Sequence, residues 1–217
     1  VAKSGCPIIT PSFTYSKVPK KAAEIGLTVE MIPLQPSQGF QLDADELERR
    51  LQKNPGLVYL VNPNNPTGNL LIDRDRLVSL VERFEDAIFW VDEAYVQYVD
   101  PARHRYVSDL VPKYPNLVVG RSFSFAWGLA GIRIGYLLAA PDTVDELESK
   151  ITDYRLGTVA EEVGIAALRD EEHLPFIRRA NQEGIAQLRA GLDEFEAIEH
   201  WPSEANFVLA RFTDGRS

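Results

Sequence analysis

The sequence predicts an α/β protein in which a mostly parallel sheet carries helices on both faces, joined to a smaller, incomplete α+β portion. Three observations predict it. Short segments that are apolar throughout, rather than alternating, recur along residues 1–140 and read as strands buried on both faces. Amphipathic helical patterns separate them, as crossover connections between parallel strands require. Beyond Ala140 the chain turns charged and helix-rich, so we expect a junction near Pro141 and a division into residues 1–140 and 141–217.

Residues 6–10, CPIIT, are a short apolar run stopped by Pro11, and a helical pattern with Pro19 near its first turn runs on to Gly26. Residues 27–34 repeat the strand, a polar QPSQG connection follows, and Asp43 starts a helix that sets Leu47 and Leu51 four apart. Residues 57–61, LVYLV, form an apolar strand that ends abruptly in NPNNPTG. A helix over 73–84 puts Leu77, Leu80, Val81 and Phe84 on one face, and the strand over 87–91 ends in Asp92, Glu93 and Ala94. The strand over 117–120 leads through small and polar residues, a glycine-rich turn and Arg133 into a second apolar strand. After Ala140 we expect helices over 142–154, 159–168 and about 173–195, then one clear strand over 206–211.

Composition narrows the function classes. With 45% hydrophobic and 25% charged residues the chain has an ordinary globular balance. A net charge of −9 argues against a nucleic-acid groove or an anionic membrane surface as partner. No apolar run approaches the ~20 residues that span a bilayer, and the first residues lack signal-peptide features, so the expected setting is cytoplasmic. Cys6, the single cysteine, reads as a small core residue at the start of a strand. His104, His173 and His200 are scattered without ligand spacing, and no metal site is expected.

In a parallel sheet, ligands sit in the crevice beyond the carboxyl ends of the strands. Four such ends carry unusual residues: Pro11-Ser12-Phe13, NPNNPTG, Asp92-Glu93-Ala94-Tyr95 and Ser122-Phe123-Ser124. An aromatic nitrogen heterocycle with a phosphate tail would use this set well. Asp92 would favour a protonated ring nitrogen. Asn65 and Tyr95 would share a ring hydroxyl. Arg133 with Ser122 would hold a phosphate dianion, and Phe13 would lie on the ring face. Rival chemistries fit less well. Ser124 is where a nucleophile elbow starting at Gly120 needs its second glycine, and Gly128, Gly131 and Gly135 lack dinucleotide spacing.

NPNNPTG, VDEAY and residues 122–136, SFSFAWGLAGIRIGY, in this order, resemble the fold-type I, class I/II aminotransferases that use pyridoxal 5'-phosphate (PLP), in particular the histidinol-phosphate aminotransferase subgroup. A further family-like stretch is Ser203-Glu204-Ala205-Asn206-Phe207. The resemblance implies a PLP-transferase large domain over 1–140, and a linking helix with part of a small domain over 141–217. It implies amino transfer between an amino acid or amino-alcohol phosphate and a 2-oxo acid, a small-molecule amino donor and a homodimer. It also implies PLP contacts from Phe13, Asn65, Asp92, Tyr95, Ser122, Ser124 and Arg133.

One position departs from the pattern. The family's segment reads roughly S/T-F-S-K-A-F-G-L-A-G-L-R-I-G-Y, and Phe125 stands at its lysine, the residue that bonds to the cofactor and moves the proton. A phenyl ring does neither. The expected catalyst is therefore inactive or impaired, with PLP held non-covalently at most and Phe125 as an apolar plug. The alternative is a non-catalytic ligand-binding or dimerisation module of the same fold. Lys113, the nearest lysine upstream, precedes its strand and so lies at the wrong end. The family's phosphate-binding loop is expected before the first strand, and its substrate-carboxylate arginine after the last.

Overall fold

The computed structural model describes residues 5–102, 106–151 and 156–215. His104 and the end of the helix expected over 142–154 fall outside them. Strands β1 (Ile8–Pro11), β2 (Val29–Ile32), β3 (Leu57–Val61), β4 (Ile88–Asp92), β5 (Leu117–Ser122) and β6 (Gly135–Leu138) form one sheet in the order β2-β1-β3-β4-β5-β6. Neighbours run parallel except β5 and β6, an antiparallel pair in which Ser122 faces Gly135.

Alternation along the strands divides the side chains between two faces. Ile9, Val58, Leu60, Phe89, Val91, Leu117 and Val119 turn into the larger core, with Leu47 and Leu51 of α2 (Ala44–Lys53) and Leu77, Leu80 and Val81 of α3 (Arg74–Arg83). Ile8, Tyr59, Val61 and Trp90 turn the other way, against Val18 and Ala22 of α1 (Lys17–Glu24). Both faces of the sheet are thus covered by helices, as apolar-throughout strands demand. Asp43 caps α2 by accepting from the N–H groups of Asp45 and Glu46 at 3.1 and 2.9 Å, and Asp73 caps α3 by accepting from Arg76 at 2.8 Å. Each cap is worth about 1 kcal/mol.

Beyond β6 come α4 (Pro141–Ser149), α5 (Thr158–Arg169) and α6 (His173–Asp193), close to the expected helices. The strand expected over 206–211 is corrected. A two-stranded antiparallel sheet pairs β7 (Ile198–His200) with β8 (Ala210–Phe212), while residues 204–207 bend. The reason is a competing set of bonds: the Glu204 N–H donates to the Gly68 carbonyl at 2.7 Å, and the Ala205 N–H to the Ser203 hydroxyl at 3.0 Å. Cys6 is also corrected, since it is half-buried two residues before β1 rather than inside the core. Among the described residues no helix is long and apolar enough to cross a membrane.

Candidate functional site

The parallel register sets the carboxyl ends of three strands side by side, with Val61 opposite Asp92 and Asp92 opposite Gly120. The ladder runs on past them, the Asn62 N–H donating to the Asp92 carbonyl at 2.9 Å and the Glu93 N–H to the Gly120 carbonyl at 2.8 Å. Asp92 therefore closes β4 in the middle of the sheet. Its Oδ1 accepts the Ala94 N–H at 3.1 Å and its Oδ2 accepts the Tyr59 hydroxyl at 3.0 Å. Burial pushes the Asp92 carboxyl above its ordinary range, and the Tyr59 and Ala94 donors pull it part of the way back. Burial and the adjoining Asp92 carboxylate push the Tyr59 phenol far up in turn. Among the described residues no cation pairs with Asp92.

The turn after β3 meets the turn after β4. Asn65 donates its amide N–H to the Tyr95 hydroxyl at 3.0 Å. Burial raises the Tyr95 phenol while the Asn65 donor lowers it, so the proton stays on at neutral pH. Phe125 stacks on the Tyr95 ring with centroids 4.4 Å apart, and Phe207 meets the same ring edge-on at 5.2 Å. Phe125 is 39% exposed, so it covers one face of Tyr95 rather than filling a closed slot. Phe13 is 40% exposed and tilts against Phe40 at 5.7 Å. Its carbonyl accepts from the fully buried Asn64 amide at 2.9 Å, and Asn64 also accepts from the Thr14 hydroxyl at 2.6 Å. One buried amide thus locks the turn after β1 to the NPNNPTG turn.

Ser122 ends β5, and its hydroxyl accepts the Ser124 N–H at 3.0 Å. The Phe123 N–H donates to the Ile134 carbonyl at 3.2 Å, which returns the residue after Arg133 to the one between the two serines. Arg133 has a left-handed backbone (φ 62°), donates to the Ala130 carbonyl at 2.7 Å and has no acidic partner among the described residues. Glu93, next to Asp92, is buried and taken up by Arg121 at 2.8 Å and by the Val107 N–H at 3.0 Å. Lys113 bonds to Glu82 at 3.2 Å, at the opposite end of β5.

Tyr59, Asn64 and Phe207 are contacts that sequence reasoning missed. Tyr59 had one usable signal, a phenol within an apolar strand two residues before its end. Asn64 lies inside the NPNNPTG motif, and Phe207 ends the stretch 203–207, but neither had a stated role.

The donor set fits a phosphorylated, protonatable aromatic ring. Among the described residues a buried carboxylate and an arginine have no charged partner, an amide donates to a phenol between adjoining strand ends, and two serines stand at the end of β5. It does not fit a covalent link at position 125, because Phe125 carries no amine. Among the described residues no group of His, Cys, Asp and Glu gathers around a metal position.

The aminotransferase class I and II family matches this chain over residues 1–216. Histidinol-phosphate aminotransferase 1 of Nitrosococcus oceani is 36% identical over 173 residues, 80% of this chain and 46% of that protein. The histidinol-phosphate aminotransferase of Methanosarcina barkeri is 36% identical over 200 residues, 92% of this chain and 51% of that one. The chain spans about half the length of the curated relatives it matches. The crystal structure of histidinol-phosphate aminotransferase from Sinorhizobium meliloti in complex with pyridoxal-5'-phosphate superposes with a TM-score of 0.86 at 26% identity, covering 99% of this chain and 57% of that one. The Clostridium acetobutylicum enzyme of the same name has a TM-score of 0.84 at 20% identity over 96% of this chain and 62% of its own, a likeness of fold alone. The chain therefore belongs to the class I and II aminotransferases, a PLP-dependent family, and within it is similar to histidinol-phosphate aminotransferases.

Proposed function

We propose that this chain holds PLP reversibly in the crevice at the carboxyl ends of β3, β4 and β5, and that it does not carry out transamination, because Phe125 replaces the residue that would bond to the cofactor. The observation that carries the proposal is the combination at one site of a buried Asp92 with no cationic partner among the described residues and a Phe125 packed on Tyr95.

Each residue has a task that follows from its chemistry. Asp92 holds a proton on the ring nitrogen by opposite charge in a dry setting. Asn65 and Tyr95 present two donors to one ring oxygen, and Tyr95 keeps its proton to do so. Ser122, Ser124 and Arg133 hold the phosphate, Arg133 through charge-assisted bonds. Phe13 covers a ring face. When bound, PLP supplies a ring that accepts negative charge from a reacting centre. Phe125 has no group to take up or return a proton, so the chain binds and orients the cofactor but does not move the proton that amino transfer requires. The small molecules such a site would accept are an amino acid or amino-alcohol phosphate and a 2-oxo acid. We read residues 141–217 as a linking helix with part of a small domain, and the working form as a homodimer.

The test is a PLP titration of the chain and of Asp92→Asn, followed by absorption. Saturable binding that weakens about tenfold or more in the variant is expected, the loss of one charge-assisted contact. Equal affinity for the two chains would remove Asp92 from the site and with it the proposal.

A further inference from the structure

We propose that Tyr59 is a positioning residue for this site: its hydroxyl orients the Asp92 carboxylate and favours its ionised form before a ligand arrives. The inference rests on reading Asp92 as the partner of a cationic ring nitrogen.

The strand register makes this contact specific. Tyr59 faces Trp90 across the β3–β4 ladder, and Asp92 lies two residues further along. Two residues of strand cover about 6.6 Å, a span that a phenol can bridge and a leucine cannot. The hydroxyl arrives 3.0 Å from Oδ2. The ring has little freedom to be elsewhere. Tyr59 is fully buried, its ring centroid is 4.9 Å from that of Trp90, and Ile8, Ala22 and Val61 belong to the same cluster. Phenylalanine would serve that packing equally well. A hydroxyl carried into a core this dry needs a polar partner, and Asp92 is the one it has.

The other charged and titratable groups near Asp92 leave this role to Tyr59. Directly after β4, Glu93 repels a second negative charge, although Arg121 of β5 and the Val107 N–H take up its carboxylate. Tyr95, beyond β4, and Tyr15, beyond β1, act on the same region as phenols. None of these supplies a positive charge to Asp92. The carboxylate therefore depends on two neutral donors, the Ala94 N–H on Oδ1 and the Tyr59 hydroxyl on Oδ2. An ionised Asp92 keeps the proton on a ring nitrogen, whereas a protonated one offers only a neutral hydrogen bond.

The experiment follows the carboxyl carbon resonance of Asp92 through a pH titration of the unliganded chain, assigned by its loss in Asp92→Asn. In Tyr59→Phe the midpoint is expected to move up, and PLP affinity near neutral pH to fall about tenfold. An unmoved midpoint overturns the proposal. The unmodified chain supplies a second test that does not depend on the variant folding. Its Tyr59 hydroxyl proton should resonate downfield and shift with the midpoint of Asp92, and a resonance indifferent to Asp92 overturns the proposal equally. If Asp92→Asn binds PLP as tightly as the parent while Tyr59→Phe still moves the Asp92 midpoint, the reading of the site falls and the hold of Tyr59 on Asp92 is upheld.

Discussion

The ring of Phe125 lies over that of Tyr95, centroids 4.4 Å apart and planes 29° from parallel. Tyr95 is also the phenol that receives the Asn65 amide, so Phe125, which we propose replaces a lysine, packs directly on a candidate cofactor contact. The stack is worth about 0.5–1.5 kcal/mol beyond buried area. Phe125 is thus packed into the candidate site, with Phe207 meeting the same Tyr95 ring edge-on.

Asp92 gives a pH prediction. Its pKa is raised in the fold by burial, so its contribution to stability is fullest below the ordinary carboxylate range and is lost as pH rises through the folded value. Asp92→Asn removes that loss. Urea unfolding of the unliganded chains between about pH 4 and pH 8 should show the variant gaining on the parent as pH rises. A constant difference between the two curves would mean that Asp92 ionises as freely folded as unfolded.

Gly68 gives a packing prediction. Its φ is +75°, and a Cβ there would stand 2.3 Å from the Ser203 hydroxyl. Gly68→Ala should destabilise by about 1–3 kcal/mol, through both backbone strain and the clash. Gly68→Ala with Ser203→Gly should recover the part due to the clash alone. Denaturant midpoints of the single and double variants decide it. No recovery would show that segment 203–207 does not dock on the NPNNPTG turn as the Glu204 to Gly68 bond indicates.

Association gives a third. Val159, Phe176, Leu188 and Phe195 on or beside α5 and α6 are exposed, an apolar content that favours self-association. The net charge of −9 opposes it by repulsion that salt screens. Sedimentation should show a homodimer or larger species that strengthens with salt. A monomer at low and high salt alike would exclude the dimer from the proposed function.

The sheet was legible because segments such as LVYLV and AIFWV have no charged side to hide, which a strand covered on both faces explains. Strands β7 and β8 were not, being three residues each with sequences IEH and ARF, too short and too polar to show a period. The error over 206–211 arises from a bond that bends the chain just before it, in which the Glu204 N–H reaches the carbonyl of Gly68, far away in sequence. At the site, the pairing of Asn65 with Tyr95 follows from motifs at adjacent strand ends. Tyr59 could not be found that way, because in one dimension it is a core aromatic and only the register beside Asp92 gives its hydroxyl a purpose.

The most direct test of reversible, non-covalent PLP binding is borohydride reduction of the PLP-saturated chain, followed by peptide mapping and dialysis. Bound PLP should dialyse away after reduction, with no lysine labelled in stoichiometric yield, whereas Phe125→Lys offers an amine at the site and should retain label at residue 125. Stoichiometric label on any lysine of the unaltered chain, Lys113 included, would contradict it, as would the absence of saturable PLP binding altogether.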